Sequence, residues 1–181
     1  MRRLILKIGR KYDKYLNRFR IWKLRLLGAN VGRGVRCNGK FFAGDDLRNL
    51  TIGDGAGIGA YNVLNCRDRL IIGKGVQLSG FVLIQTGSVD LSQPPPWDRV
   101  RHVSKPVVIE DYAVLMSSVI VSPGVTIGKY SCVGAGSVVT HDVKPGWFYA
   151  GVPARPIKPI GTVASEVKGA AAPDKGSSPQ S

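Results

Sequence analysis

Residues 106–143 read PVVIEDYAVLMSSVIVSPGVTIGKYSCVGAGSVVTHDV, and within them Ile109, Leu115, Val121, Ile127, Val133 and Val139 recur at every sixth position without a miss. Shorter runs at the same interval pass through Ile52, Ile58 and Leu64, and through Ile72, Leu78 and Ile84. Four residues after most of these comes a small or β-branched residue, among them Ala56, Val76, Ala113, Val119, Ser131 and Ser137. An interval of six matches neither the helical period nor strand alternation. It fits a parallel β-helix of hexapeptide repeats, in which each unit supplies one short strand and one corner and three units close a triangular coil. The recurring residue points into a narrow prism, so it must be apolar and of nearly constant volume. A Val/Gly-rich sandwich is the other fold such composition allows. It has no reason to hold one phase over successive units.

Around this all-β core the chain changes character twice. Residues 1–27 carry Ile5, Ile8, Tyr12, Tyr15, Leu16, Phe19, Trp22 and Leu26 at three- and four-residue steps, the pattern of an amphipathic α-helix. Gly28 is placed to terminate it. Ten Lys and Arg residues oppose only Asp13 in that segment, which thus holds nine of the chain's net charge of +14. An aromatic face with cationic flanks reads as a membrane-surface element. A helix packed as a cap on the first coil is the rival reading; a cap needs the stripe but has no use for so much positive charge. The β-helix is expected over 28–160, irregular between Cys37 and Leu50, with an excursion over 87–105. Pro94, Pro95 and Pro96 exclude that excursion from any sheet interior. Trp147, Phe148 and Tyr149 are placed to close the far end of the stack. The Gly-, Ala-, Pro- and Ser-rich residues 161–181 are expected to be disordered.

Composition excludes several classes. No segment is long and apolar enough to span a bilayer, and Lys7, Arg10 and Lys11 interrupt the early apolar run as no signal peptide would allow. Cys37, Cys66 and Cys132 show neither paired nor metal-type spacing and read as reduced thiols of a cytoplasmic protein. Two histidines cannot supply the three zinc ligands that a γ-type carbonic anhydrase needs, so no metal is expected. Positive charge alone points to nucleic acid, but a rigid prism offers no basic aromatic platform for it.

The stretch IGKYSCVGAGSVVTHDV at 127–143, the motif Ala150-Gly151-Val152-Pro153-Ala154-Arg155 and the segment 106–128 resemble bacterial hexapeptide-repeat O-acetyltransferases. With Thr86-Gly87-Ser88 before the excursion, the likeness is to the colanic-acid and nodulation/maltose acetyltransferase branch. The resemblance implies a left-handed β-helix, a homotrimer with active sites in clefts between subunits, acetyl-CoA as donor and a sugar hydroxyl as acceptor. The acceptor would belong to a surface polysaccharide or glycolipid, and a lipid-linked one would bring the basic helix to the inner face of the membrane. By motif position Ser117, Ala135 and Thr140 would line the pantetheine arm. Arg155 and Lys158 would meet the nucleotide phosphates. His141 stands where relatives carry Lys and is a further candidate for cofactor contact.

The pattern breaks at the chemistry. Active relatives open the excursion with Thr or Ser followed by the general-base His, and here that position is Val89. The usual Trp-Ile-Gly is likewise replaced by Val114-Leu115-Met116. Three accounts stay open. His102, near the far end of the excursion, replaces the base; or Asp90 serves as base or sugar contact; or the chain has lost catalysis and acts as a sugar- or nucleotide-binding or structural partner. Arg99, Arg101 and Lys105 around His102 would also attract an anionic acceptor. Asn65, Ser88 and Trp97 are the candidate acceptor contacts, through amide, hydroxyl and ring stacking respectively.

Overall fold

The computed structural model describes residues 15–90, 92 and 101–161. It is a parallel β-helix whose coils share three sheets. The first face stacks Asn30–Val31, Leu50–Ile52, Leu70–Ile72, Val107–Ile109 and Thr126–Ile127 in that order. The second stacks Arg36–Cys37, Gly57–Ile58, Gln77–Leu78, Val114–Leu115 and Cys132–Val133, and then the terminal strand Trp147–Gly151. The third stacks Phe42–Asp45, Val63–Cys66, Leu83–Ile84, Ile120–Val121 and Val138–Val139.

Every residue of the six-residue series points inward and is buried. Partners across coils are members of the same series, as Ile58 with Leu78, Leu78 with Leu115 and Leu115 with Val133. The residues four positions later turn inward at the corners and are buried as well. Where they are serine the hydroxyl is satisfied locally: Ser131 Oγ donates to Gly128 O at 2.6 Å and Ser137 Oγ to Gly134 O at 2.7 Å. Ladder bonds such as Gly73 N to Ile109 O (2.7 Å) tie each coil to the next. The stretch between Cys37 and Leu50 is more regular than its sequence promised. Phe42–Asp45 pairs in parallel with Val63–Cys66, and only the 3-10 turn Leu47–Asn49 departs from the repeat.

The excursion leaves the third face through Thr86, which is fully buried. Its Oγ1 donates to Asn65 O at 3.0 Å and accepts the Asp68 N–H at 3.0 Å, riveting the departure point to the coil above.

Among the described residues no coil precedes the first, and its free edge is met by helix α1, residues 15–26. The helix ends as expected. Gly28 takes φ +99, with Ala29 N bonding Leu24 O (3.0 Å) and Gly28 N bonding Arg25 O (3.0 Å), a Schellman closure. The face it turns to the prism differs from the stripe expected from sequence. Leu24 is buried and Ile21 half-buried, whereas Tyr15, Phe19, Trp22 and Leu26 stay exposed. Asn17 Oδ1 accepts the Cys37 N–H at 2.6 Å and its Nδ2 donates to Val35 O at 3.2 Å. Arg20 donates to Cys37 O at 3.1 Å, and Arg25 to Val31 O (2.8 Å) and Gly32 O (3.0 Å). The cap therefore does use positive charge, to satisfy edge carbonyls that would otherwise lie open. Among the described residues no helix is long and apolar enough to cross a membrane. The first fourteen residues of the expected helix and the expected disorder beyond 161 lie outside the described residues.

Truncating the core column should be costly: Leu115→Ala should destabilise the fold by about 2–5 kcal/mol in urea unfolding. Asn17→Ala strands an edge N–H and an edge C=O at once and should cost about 1–3 kcal/mol in the same assay.

Candidate active site

The site is built where the ladder breaks. Gly87–Val89 runs out from the prism and His102–Ser104 returns antiparallel to it, with Gly87 opposite Ser104, Ser88 opposite Val103 and Val89 opposite His102. Bonds from Asp90 N to Arg101 O (2.8 Å) and from Lys105 N to Thr86 O (2.9 Å) bracket this ribbon. Bonded and open pairs alternate along an antiparallel ladder, which makes Val89 and His102 an open pair, the kind whose side chains lie closest. Opposed residues share a face. The imidazole of His102 therefore emerges beside Val89, the position where the family resemblance expects a histidine. Its side chain is exposed.

Asp90 is held in a different role. Its Oδ1 accepts the Ser92 N–H at 2.9 Å, and hydrogen bonding from Ser92, by side chain and by backbone, holds its carboxyl below the usual carboxylate range. It is a turn-forming anion and a weaker proton acceptor than a free carboxylate. Asn65 sits one coil above the base of the ribbon. Its Oδ1 lies 3.3 Å from Thr86 Oγ1 and accepts the Arg67 N–H at 3.4 Å. Asn65 is half-buried, and its Nδ2 makes no hydrogen bond among the described residues. Ser88 is exposed on the ribbon. Trp97 lies outside the described residues, and its expected ring stacking with it.

Ser117 and Ala135 occupy a different corner, between the second and third faces. They stack in successive turns, joined by a bond from Gly136 N to Ser117 O at 2.9 Å, and both are exposed. The full width of the third face separates this corner from the ribbon of the same protomer.

A third cluster lies toward the C-terminal end. Thr140 Oγ1 is 2.9 Å from His141 Nδ1. His141 and Arg155 line one open recess of about 310 Å³ together with Asp142, Tyr149 and Ala154. Asp142 is occupied in accepting the Thr126 N–H at 2.7 Å, and Arg155 gives one bond to Ala154 O at 3.1 Å. Lys158 stands opposite Phe148 on the outermost strand and does not line the recess. The sequence reading missed Asp142 as a wall of this recess. The signal lay in its place directly before the inward Val143, where a carboxylate reaches the backbone of the coil above. Tyr149, expected only as an end closure, has a dual position: it is buried beneath Val133 and also lines the recess.

These clusters offer an imidazole with an amide donor, a turn of small residues, and a cation-bearing recess, three elements of a group-transfer site. Residues 106–141 match the family described as bacterial transferase hexapeptide (six repeats). A galactoside O-acetyltransferase of Lactococcus lactis is 31% identical over 131 residues, covering 72% of this chain and 62% of that protein. Matches to two other curated relatives span 27% and 28% of those proteins, so the chain aligns with less than two thirds of each. The crystal structure of a maltose O-acetyltransferase from Clostridium difficile superposes with a TM-score of 0.72 at 29% identity, over 87% of this chain and 89% of that one. A hexapeptide-repeat acetyltransferase of Vibrio cholerae, solved with acetyl coenzyme A, superposes with a TM-score of 0.69 at 29% identity, over 77% and 75% of the two chains. A repeat family matched across the second block of coils, and two neighbours sharing most of the prism, agree with the six-residue construction itself: the chain is similar, in those coils and in its fold, to the bacterial hexapeptide-repeat transferases.

Proposed function

We propose that the protein is an acyltransferase, acetyl-CoA its donor and a hydroxyl of a sugar in a glycan or glycolipid its acceptor, with His102 as general base. The pairing of His102 with Val89 across the ribbon carries this reading. His102 takes the proton of the acceptor hydroxyl as its oxygen attacks the thioester carbonyl carbon. When the carbon–sulfur bond breaks, the imidazolium returns that proton to the departing thiolate, leaving an ester and free coenzyme A. Such assistance contributes roughly a hundred- to ten-thousand-fold in rate. Asn65 Nδ2 and Ser88 Oγ supply hydrogen bonds to the sugar beside the base. Ser117, Ala135 and Thr140 flank the pantetheine arm, where small side chains permit close approach to backbone, while Arg155 and His141 receive the phosphates and Lys158 adds charge nearby.

Two features support assembly as a homotrimer. The base and the Ser117–Ala135 turn occupy opposite corners of one protomer, so chemistry requiring both draws them from neighbouring copies. The outward column of the third face, between those corners, is apolar throughout: Phe42, Val63, Leu83, Ile120 and Val138 stack in register, with Phe42 62% and Ile120 36% exposed. Packing copies through such a face removes it from water and sets one ribbon beside the next copy's turn.

A second reading rests on Val89 itself: the chain has kept the prism and lost the reaction, and serves as a binding or structural partner. Thiol release from acetyl-CoA with a panel of sugar acceptors separates the two. His102→Ala should lower kcat by roughly 10²–10⁴, and Asp90→Asn by less than about tenfold. The exchange Val89→His with His102→Val should recover most of the lost rate, since the imidazole then re-enters the same face from the other strand. Wild-type turnover in His102→Ala would remove it from the role, and tight coenzyme A binding without turnover on any acceptor would favour the second reading. Arg155→Ala should raise KM for acetyl-CoA by roughly ten- to a hundredfold, as expected for losing a bond to a charged group, with kcat little changed.

A further inference from the structure

We infer that the helical end of the prism is a docking surface for an anionic phospholipid bilayer. Helix α1 has two working sides. One is spent on the prism through Asn17, Ile21 and Leu24. The other presents Tyr15, Phe19, Trp22 and Leu26 at steps of four, three and four, exposed by 69, 53, 56 and 67%. Phe19 and Trp22 stack at 5.8 Å, which organises them as one patch. No packing requirement of the prism explains this stripe, because capping is already accomplished by the opposite side.

Charge defines what the stripe meets. Residues 15–44 contain seven Lys and Arg residues and no carboxylate. Arg20 and Arg25 are consumed by the capped edge, whereas the ammonium groups of Lys23 and Lys40 make neither hydrogen bond nor ion pair among the described residues. These two lysines border an apolar groove of about 640 Å³ between α1 and the segment after Cys37, walled by Phe19, Leu27, Phe41 and Leu47. A groove lined mainly by apolar side chains together with two lysines matches an acyl chain and its phosphate. Aromatic residues at the headgroup level and cations toward the phosphates are the arrangement of an interfacial helix lying in the membrane plane. A second copy of the same surface is disfavoured because like charges would face each other.

Co-sedimentation of the full chain with vesicles tests this. Binding should be strong to phosphatidylcholine vesicles containing phosphatidylglycerol and weak to phosphatidylcholine alone. Phe19→Ser with Trp22→Ser should weaken binding roughly tenfold or more. Lys23→Gln and Lys40→Gln should each cost about fivefold, the effect of one cation near an anionic surface. All four side chains are solvent-facing, so the melting temperature of each variant should stay near that of the parent. Equal binding to both vesicle types, or unchanged binding by the aromatic variant, would overturn the assignment. So would a change in oligomeric mass in place of vesicle binding, or retention by a single-stranded oligonucleotide but not by vesicles. Turnover on soluble acceptors does not depend on this surface, and the two proposals therefore fail separately.

Discussion

Vertical register is the constraint on which the rest of the molecule depends. Each inward aliphatic side chain must lie directly beneath its counterpart in the preceding coil, because only then do the edge N–H and C=O groups of successive short strands meet. A slip of one residue would send the whole inward set to solvent. Ile72 and Ile109 remain paired although the entire excursion lies between them. That is possible because the excursion departs and returns at a single corner, leaving the ladder above and below intact. Loop length costs little in closure entropy, so the prism tolerates an insertion of almost any chemistry there. Residues serving the stack and residues serving the site are thereby separated, and the site can change while the stack does not.

A stack of paired coils has two raw edges, and the two are closed by different means. At the far end the chain folds on itself: Trp147–Gly151 adds to the second face and pairs antiparallel with Ala154–Pro159. Gly151 N also donates to Ser137 Oγ at 3.1 Å, fastening that hairpin to the last corner. At the near end no strand is added among the described residues. A helix cannot offer backbone groups to a sheet edge, since its own are spent internally, so side chains do the pairing. Arginine is well suited to such an edge, because its fork of donors spans neighbouring carbonyls, as Arg25 does with Val31 and Gly32. Part of the strong positive charge of the N-terminal segment is thus a consequence of topology.

The interior was legible in the sequence because the prism imposes one chemical requirement at one interval, and Ile109 through Val139 meet it without exception. The corners were less so. Left-handed backbone falls on Tyr61, Phe81, Tyr112 and Tyr130 as well as on glycines. That conformation costs a residue with a Cβ about 1–2 kcal/mol, and sequence reading places glycine there. What compensates is visible only in three dimensions: Tyr61 stacks on Phe81 at 5.1 Å and Tyr112 on Tyr130 at 5.4 Å. Stacking of this kind recovers about 0.5–1.5 kcal/mol per pair. Gly75 belongs to the same column, and there a Cβ would come within 2.5 Å of the Tyr112 ring. The side of α1 that meets the prism was hidden for a related reason. Its stripe of aromatic residues dominates the sequence pattern, but the prism edge selects polar Asn17 and Arg20 because its need is for hydrogen bonds.

The candidate site divides along the same line. Contacts that follow from position in the repeat, such as Ser117 stacked over Ala135, can be placed by counting. The relation of His102 to Val89 cannot, because antiparallel register depends on how the chain turns between two distant strands. Yet that register gives the substitution at Val89 a physical meaning. Opposed residues of a two-stranded ribbon share a face, so His102 and Val89 stand side by side. Moving the ring from one strand to its cross-strand neighbour shifts its origin by the separation of an open pair, about 4.5 Å, a distance within reach of a histidine side chain's own rotamers. Asp90 accepts the Ser92 N–H, and its own N–H donates to Arg101 O. Considered alone, Val89 reads as the loss of a histidine; in the folded ribbon a histidine stands directly across from it.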